Sequence, residues 1–356
     1  MDSAPLRPSK LALVFLLLVA GAGCGRESEG PFPLLTGAYL GQTPPGDSAR
    51  LFAPGIVSNG MFNRDLAMTP DGNEMYWSTI VGPYTVIMSS QRVDGRWTRP
   101  RVAPFSNNPE YMNLEPHIAP DGQRFYFLSN RPRGGGPMPR DQIGRWVNQD
   151  IWVMDRLEDG WGAPYNLGPP VNSEDEEYFP SVTRDGTIYF TRAPAGTQES
   201  YIYRSRRRAN GYAEPERLPA QVNSGQVQFN AFVAPDESYV IVSVFGRSDS
   251  MGGTDYYIVF RSESDEWSEP INMGQPVNSS SGGEYSAFVS PDGQFLFFMS
   301  ARPGPLGELP DSLTVARLER TYDGPGNGNP DIYWIGAGLI DDLRARASWG
   351  PDPESE

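Results

Sequence analysis

The 356-residue chain holds one cysteine, one histidine and one lysine, and each scarcity removes a class of chemistry. A lone Cys24 can neither close an intrachain disulfide nor contribute to a zinc-binding thiolate cluster. A lone His117 means that a Ser-His-Asp triad, a two-histidine motif or a histidine-rich metal centre must use that residue or fail. Lys10 is the only lysine, so every other positive side chain is an arginine. An overall basic surface is missing too: 29 Lys and Arg face 44 Asp and Glu, for a formal net charge of −15. That balance argues against a nucleic-acid backbone or an anionic lipid surface as the main partner. No long helical period is visible, and 12% aromatics with 39 Gly and 35 Pro suit an all-β chain of many turns.

The one sustained apolar run, Leu11–Ala20, is too short for a stable membrane-spanning helix. With Arg7 and Lys10 before it, the run reads as the apolar part of a secretory signal, residues 1–23. Gly21-Ala22-Gly23 leading into Cys24 resembles a bacterial lipobox, although a Leu is more usual where Gly21 stands. The resemblance implies acylation of Cys24, and Gly25 after it implies the outer membrane. Acyl chains contribute about 0.8 kcal/mol per buried CH₂, so several hold a protein at a membrane surface. Ordinary signal cleavage and a buried free thiol are the other readings of the same residues. Residues 24–45, rich in Gly and Pro without periodicity, read as a flexible tether, and 345–356 as a disordered tail.

Between these ends one phrase recurs five times: an apolar run, Pro-Asp-Gly or a near relative, and a second apolar run. The copies are LAMTPDGNEMYW (66–77), HIAPDGQRFYFL (117–128), SVTRDGTIYF (181–190), AFVAPDESYVIV (231–242) and AFVSPDGQFLFF (287–298). Asp-Gly between such runs predicts tight hairpins, with type I′ turns expected. A second phrase, aromatic-x-x-Pro, recurs at Trp97/Pro100, Trp161/Pro164, Tyr212/Pro215 and Trp267/Pro270, with a fainter copy at 48–58. Between the phrases lie apolar runs such as DIWVMDR (150–156) and DYYIVFR (255–261).

The unit therefore has four strands: A before the Pro-Asp-Gly turn, B after it, C the apolar run, and D the aromatic-x-x-Pro phrase. Proline lacks an N–H and is confined to sheet edges, which puts D outermost. Four-stranded antiparallel units in series are the blades of a β-propeller. The last unit lacks a D and the N-terminus has a spare one, so the N-terminal strand is expected to complete the last blade and close the ring over residues 46–344. These repeats resemble the WD40-like repeats of TolB-type propellers, and DIYWIGAGLIDDLR (331–344) resembles the closing stretch of lipoproteins carrying that domain. TolB-like propellers are six-bladed; five hairpins and five D phrases favour five blades here, with a degenerate sixth within 131–149 or 303–330 as the alternative.

Tight turns occupy one rim and the long B–C loops the other, so the second rim is the expected binding face. Six residues before each turn Asp stand Asp65, Glu115, Phe179, Asn230 and Ser286; eight before stand Asn63, Asn113, Glu177, Gln228 and Glu284. These two columns are expected to ring the channel mouth, with hydration and inter-blade bonding as their alternative role. Asp65, Glu115 and Asn230 offer oxygen donors for Ca²⁺, although no cofactor is required. Arg131, Arg192, Arg247 and Arg302 open the B–C loops, as forks for an anionic ligand or as partners for neighbouring carboxylates. His117, among Ala67, Ser181, Phe232 and Phe288 in its column, reads as a packing position. The expected function is a lipid-anchored, non-enzymatic module binding an envelope protein or a glycan. The alternative is a hydrolase: a glycosidase using Asp65 and Glu115, or a Ca²⁺-dependent lactonase-like enzyme.

Overall fold

The computed structural model describes residues 32–280, 283–304 and 312–350. The expected signal sequence, Cys24 and residues 351–356 lie outside the described residues. Each Pro-Asp-Gly phrase forms a hairpin, but the turn differs from the one expected. Gly72 N donates to Thr69 O at 2.8 Å, and Gly72 has φ 67° whereas Asp71 has no positive φ. This is a type I turn followed by one left-handed residue, which lets Pro70 sit at its favoured second position. The turn Asp caps it: Asp71 Oδ1 accepts from Asn73 N at 3.0 Å. The same bond recurs at Asp121, Asp185, Asp236 and Asp292, and the left-handed place falls to Gly except at Glu237, φ 60°.

Five four-stranded antiparallel sheets follow, paired in the order A-B-C-D. Blade 1 comprises Phe62–Met68, Glu74–Val81, Tyr84–Val93 and Arg101–Val102. Blade 2 comprises Asn113–Ile118, Arg124–Ser129, Asp150–Leu157 and Tyr165–Asn166. Blade 3 comprises Glu176–Val182, Ile188–Ala193, Tyr201–Ser205 and Glu216–Arg217. Blade 4 comprises Val227–Val233, Tyr239–Phe245, Thr254–Phe260 and Ile271–Asn272. Blade 5 takes its inner strands from Glu284–Val289, Phe295–Ser300 and Asp331–Gly336. Its outer strand is Arg50–Leu51, with Arg50 opposite Trp334 and Leu51 opposite Tyr333. The N-terminal strand thus closes the ring, and no sixth blade forms among the described residues. Phe52, wholly buried, stacks edge-on against Phe297 and Trp334 at 5.0 and 5.3 Å and packs the closure shut.

Strand D is shorter than its phrase. The aromatic residue still belongs to the C–D hairpin, as where Trp97 pairs with Arg92 and Trp161 with Arg156. Pairing on the outer edge resumes only after the proline, where an N–H is again available.

Both ends of the domain are more ordered than composition suggests. Within the expected tether, Trp97 N donates to Leu35 O at 3.0 Å and its indole N–H to Gly37 O at 2.8 Å. Leu40 is wholly buried, and Tyr39 packs on Phe295 at 5.0 Å. Apolar side chains among the glycines and prolines of 34–45 bury against blades 1 and 5. At the other end, α1 (Val315–Tyr322) lies on the surface and α2 (Leu339–Arg344) buries Ile340 and Leu343. Part of the expected tail continues that packing, since Glu269 N donates to Ser348 O at 2.8 Å. Among the described residues no helix is long and apolar enough to cross a membrane.

Candidate binding site at the channel mouth

Each strand A is interrupted at one position. Asp65, Glu115, Phe179, Asn230 and Ser286 have φ of 56°, 58°, 50°, 51° and 71°, and the pairing register with strand B shifts across each of them. Left-handed backbone is uncommon outside glycine, and easier for Asp and Asn than for Phe. Here the neighbouring blades sustain it. Three of the five bulge amides donate to the preceding blade: Glu115 N to Ser78 Oγ at 2.9 Å, Phe179 N to Glu115 Oε2 at 2.7 Å, and Asn230 N to Thr191 Oγ1 at 3.0 Å.

The bulge also decides which side chains see the channel. An inserted residue inverts the two-residue alternation beyond it. The expectation that the column eight before the turn Asp rings the mouth is therefore overturned: Asn63, Asn113, Glu177, Gln228 and Glu284 are all wholly buried within the blades. Glu177 accepts from Arg192 Nε at 2.8 Å and from Ser173 N at 2.9 Å. Glu284 accepts from Ser300 Oγ at 2.9 Å, with Arg302 3.7 Å away. Burial raises both carboxyls above their usual range, against the pull of those donors.

The arginine column turns inward as well. Arg131 donates to Phe105 O and to Asn113 Oδ1, the latter at 3.0 Å, and its guanidinium lies 5.3 Å from the Phe127 ring centroid. Arg302 donates to Pro276 O at 2.8 Å and to Val277 O, with Tyr333 at 5.1 Å. Arg192 holds Val171 O at 2.9 Å and Arg247 reaches Ser224 O at 3.4 Å. These forks fasten the B–C loops of blades 2 to 5 to the preceding D–A connections through carbonyl oxygens, so Arg131 and Arg302 are already engaged.

The channel wall is instead the column seven before the turn Asp: Arg64, Leu114, Tyr178, Phe229 and Tyr285. All but Leu114, which is buried, line a cavity of about 700 Å³ on the expected rim. Phe229 and Tyr285 lie 5.8 Å apart between centroids, and the Arg64 guanidinium sits 4.9 Å from the Tyr285 ring. The B–C loops of blades 2 and 3 raise the wall with Trp146, Gln149 and Gln198, and Trp146 is half exposed. Glu115 and Asn230 reach the floor. Asn230 donates to Ser286 Oγ at 3.0 Å, which leaves its buried Oδ1 without a partner.

Asp65 and Glu115 do come together, through Arg64. Arg64 Nε donates to Asp65 Oδ1 at 2.8 Å, and Nη2 forms an ion pair with Glu115 Oε1. Burial works against the Arg64 charge, but the two carboxylates hold its pKa above the usual arginine value. Burial likewise raises Glu115, to about 7, against the opposing pull of Arg64. A guanidinium therefore stands where the Ca²⁺ reading placed a cation between these carboxylates. Among the described residues no three His, Cys, Asp or Glu side chains assemble as metal ligands. His117, two residues beyond Glu115 on the same strand, does not line this mouth but the opposite end of the channel.

Arg64, Tyr178, Phe229, Tyr285 and Trp146 were not among the residues singled out from sequence. Three aromatics in five copies of one column were the available signal, but a regular alternation assigns that column to the blade interior.

No protein-family model matches the chain, and no curated protein matches it. Solved structures similar to it include TolB from Acinetobacter baumannii, at 14% identity and a TM-score of 0.43 over 78% of this chain and 57% of that one. The chain thus spans little more than half of that TolB. A putative TolB from Agrobacterium tumefaciens is similar at 14% identity and 0.42, over 78% and 90% of the two chains. The catalytic domain of a GH62 α-L-arabinofuranosidase from Coprinopsis cinerea is similar at 11% identity and 0.47, over 83% and 98%.

Proposed function

We propose that this propeller is a glycan-binding module of the cell envelope, tethered by lipid on Cys24, with its ligand seated in the cavity of Arg64, Tyr178, Phe229 and Tyr285. One observation carries the reading: three half-buried aromatic rings from consecutive blades share a cavity with Gln149, Gln198 and Asn230. Aromatic faces suit the C–H faces of sugar rings, and amide side chains donate to and accept from hydroxyls. The volume lies in the usual range for ligand cavities. A hydrolase is disfavoured because both oxygens of Glu115 are engaged, one by Arg64 and one by Phe179 N, so neither is available to a leaving group in the cavity.

The test is calorimetric titration with a panel of envelope and plant-wall oligosaccharides, with release of new reducing ends followed in parallel. Saturable binding that changes Trp fluorescence through Trp146, without cleavage, supports the reading. Turnover of any glycan, or no binding across the panel, overturns it. Separately, Cys24→Ala should move the protein from the membrane to the soluble fraction.

A further inference from the structure

The channel has a second opening at the turn rim, with a cavity of about 460 Å³. Its edge is formed by the A–B turns: Pro70, Pro120, Pro235 and Pro291 from four blades, and Arg184 where blade 3 breaks the pattern. Deeper, Ile118, Val182, Phe232 and Phe288 make an apolar floor beside His117. His117 Nε2 accepts from Val182 N at 2.9 Å, and burial depresses its pKa to about 4, so the floor stays uncharged. Anything bound there must place its apolar part inward and its charge at the edge.

The edge carries both signs of charge, Arg184 and Arg344 beside Asp236 and Asp292. Arg184 and Arg344 flank the turn of blade 4: Arg184 N donates to Pro235 O at 2.8 Å, and Arg344 Nη2 donates to Ser238 Oγ at 3.3 Å. Neither guanidinium forms an ion pair with a carboxylate among the described residues. Arg344 rests on the Phe260 ring at 4.6 Å, at the cavity margin. Two carboxylates also line the cavity, both engaged in their own turns. Asp236 accepts from Ser238 N at 3.1 Å; Asp292 accepts from Tyr39 OH at 2.6 Å and Gln294 N at 3.1 Å. Next to Arg184, the C–D hairpin of blade 3 adds Arg207, which packs against Gly186 and stacks 5.1 Å from Tyr212, and the exposed Arg208. Two guanidiniums without a carboxylate ion pair thus stand at the edge of an apolar cavity, with Asp236 within electrostatic reach of Arg184.

We propose that the turn-rim cavity binds a small apolar monocarboxylate, its hydrocarbon body on Phe232, Phe288 and Ile118 and its carboxylate toward Arg184 and Arg344. Guanidinium forks match a carboxylate bidentately, and leaving the charge at the edge avoids its desolvation. The site opens on the rim opposite the glycan cavity and does not depend on that reading.

The probes are sodium octanoate and 3-phenylpropionate, titrated into the intact protein by calorimetry and by thermal melting, with octan-1-ol and octylamine as uncharged and cationic controls. A ligand of the native state raises the melting temperature with concentration. The expected result is saturable binding of the carboxylates, weaker binding of both controls, and a loss of roughly tenfold in affinity in Arg184→Ala/Arg344→Ala. Both substitutions are at exposed positions, so the folded state should survive, with an unchanged circular dichroism spectrum as the check. Octanol or octylamine binding as well as octanoate, an unchanged affinity in the double variant, or no saturable binding of either carboxylate would overturn the proposal. Oligosaccharide binding at the other rim should be unaffected by the double variant, which separates failure here from failure there.

Discussion

Arg64 of blade 1 and Glu115 of blade 2 form an ion pair across the blade boundary with both side chains almost wholly buried, and Asp65 holds the other side of the same guanidinium. Removing one member of such a group strands the others in a poorly solvated site, at a cost of about 3–5 kcal/mol. Arg64→Ala is therefore expected to lower unfolding free energy by that order in urea titrations at pH 8. The loss should be smaller at pH 5, where the stranded carboxyls can take up protons. An equal loss at both pH values would mean that the carboxyls contribute nothing to it.

Glu115 and His117, two residues apart, impose opposite pH dependences. The Glu115 carboxyl, raised to about 7, keeps a proton in the folded state that the unfolded chain releases near its ordinary value. Its contribution is therefore complete below about pH 4.5 and lost as pH rises through 7. His117 is depressed to about 4, so its contribution is present above about pH 6.5 and lost as pH falls toward 4, amounting to roughly 3 kcal/mol. Glu115→Gln should gain on the wild type between pH 5 and 8, and His117→Asn should gain on it between pH 6.5 and 4. Parallel stability–pH curves for wild type and variants would contradict both assignments.

Binding and stability should separate by column. Tyr285→Ala and Phe229→Ala remove channel-facing rings and are expected to weaken glycan binding about tenfold, a loss of about 1.4 kcal/mol. Arg302→Ala frees the carbonyls of Pro276 and Val277 and strands Glu284, so it should lower stability by about 1–3 kcal/mol and leave affinity unchanged. Calorimetric affinity and urea midpoints on the three variants check this. A binding defect in Arg302→Ala equal to that of Tyr285→Ala would return the arginine column to the ligand.

Closure of the ring rests on a two-residue strand and the aromatic plug behind it. Phe52→Ala should cost about 3–5 kcal/mol, the range for removing a buried Phe. Hydrogen exchange should quicken first at Asp331–Gly336, the strand that Arg50–Leu51 covers. Uniform acceleration over all five blades would show instead that the ring opens as one unit.

The blade plan was legible because Pro-Asp-Gly and aromatic-x-x-Pro recur with turn chemistry that few other arrangements satisfy. The spare strand at 48–58 was legible because the last unit lacked one. The turn type was not, since type I with a left-handed fourth residue and type I′ both call for Asp-Gly. The channel wall was missed for a sharper reason. The bulge residue is Asp, Glu, Phe, Asn or Ser, so no glycine announces its backbone, and the bond that sustains it comes from another blade. Without that bulge, counting by twos from Asp65 leads to Asn63 and passes over Arg64.

The outer strand of blade 5 is made first and used last. Residues 50–51 leave the ribosome some 280 residues before the partners at 333 and 334 exist. From then until Arg50–Leu51 docks, Asp331–Gly336 has no outer neighbour and presents an open edge of the kind that recruits strands from other chains. Completion of the ring is thus a pairing of very high sequence separation, which loop-closure entropy makes slow. The interval in which this protein is most prone to self-association falls between the end of synthesis and the docking of two residues.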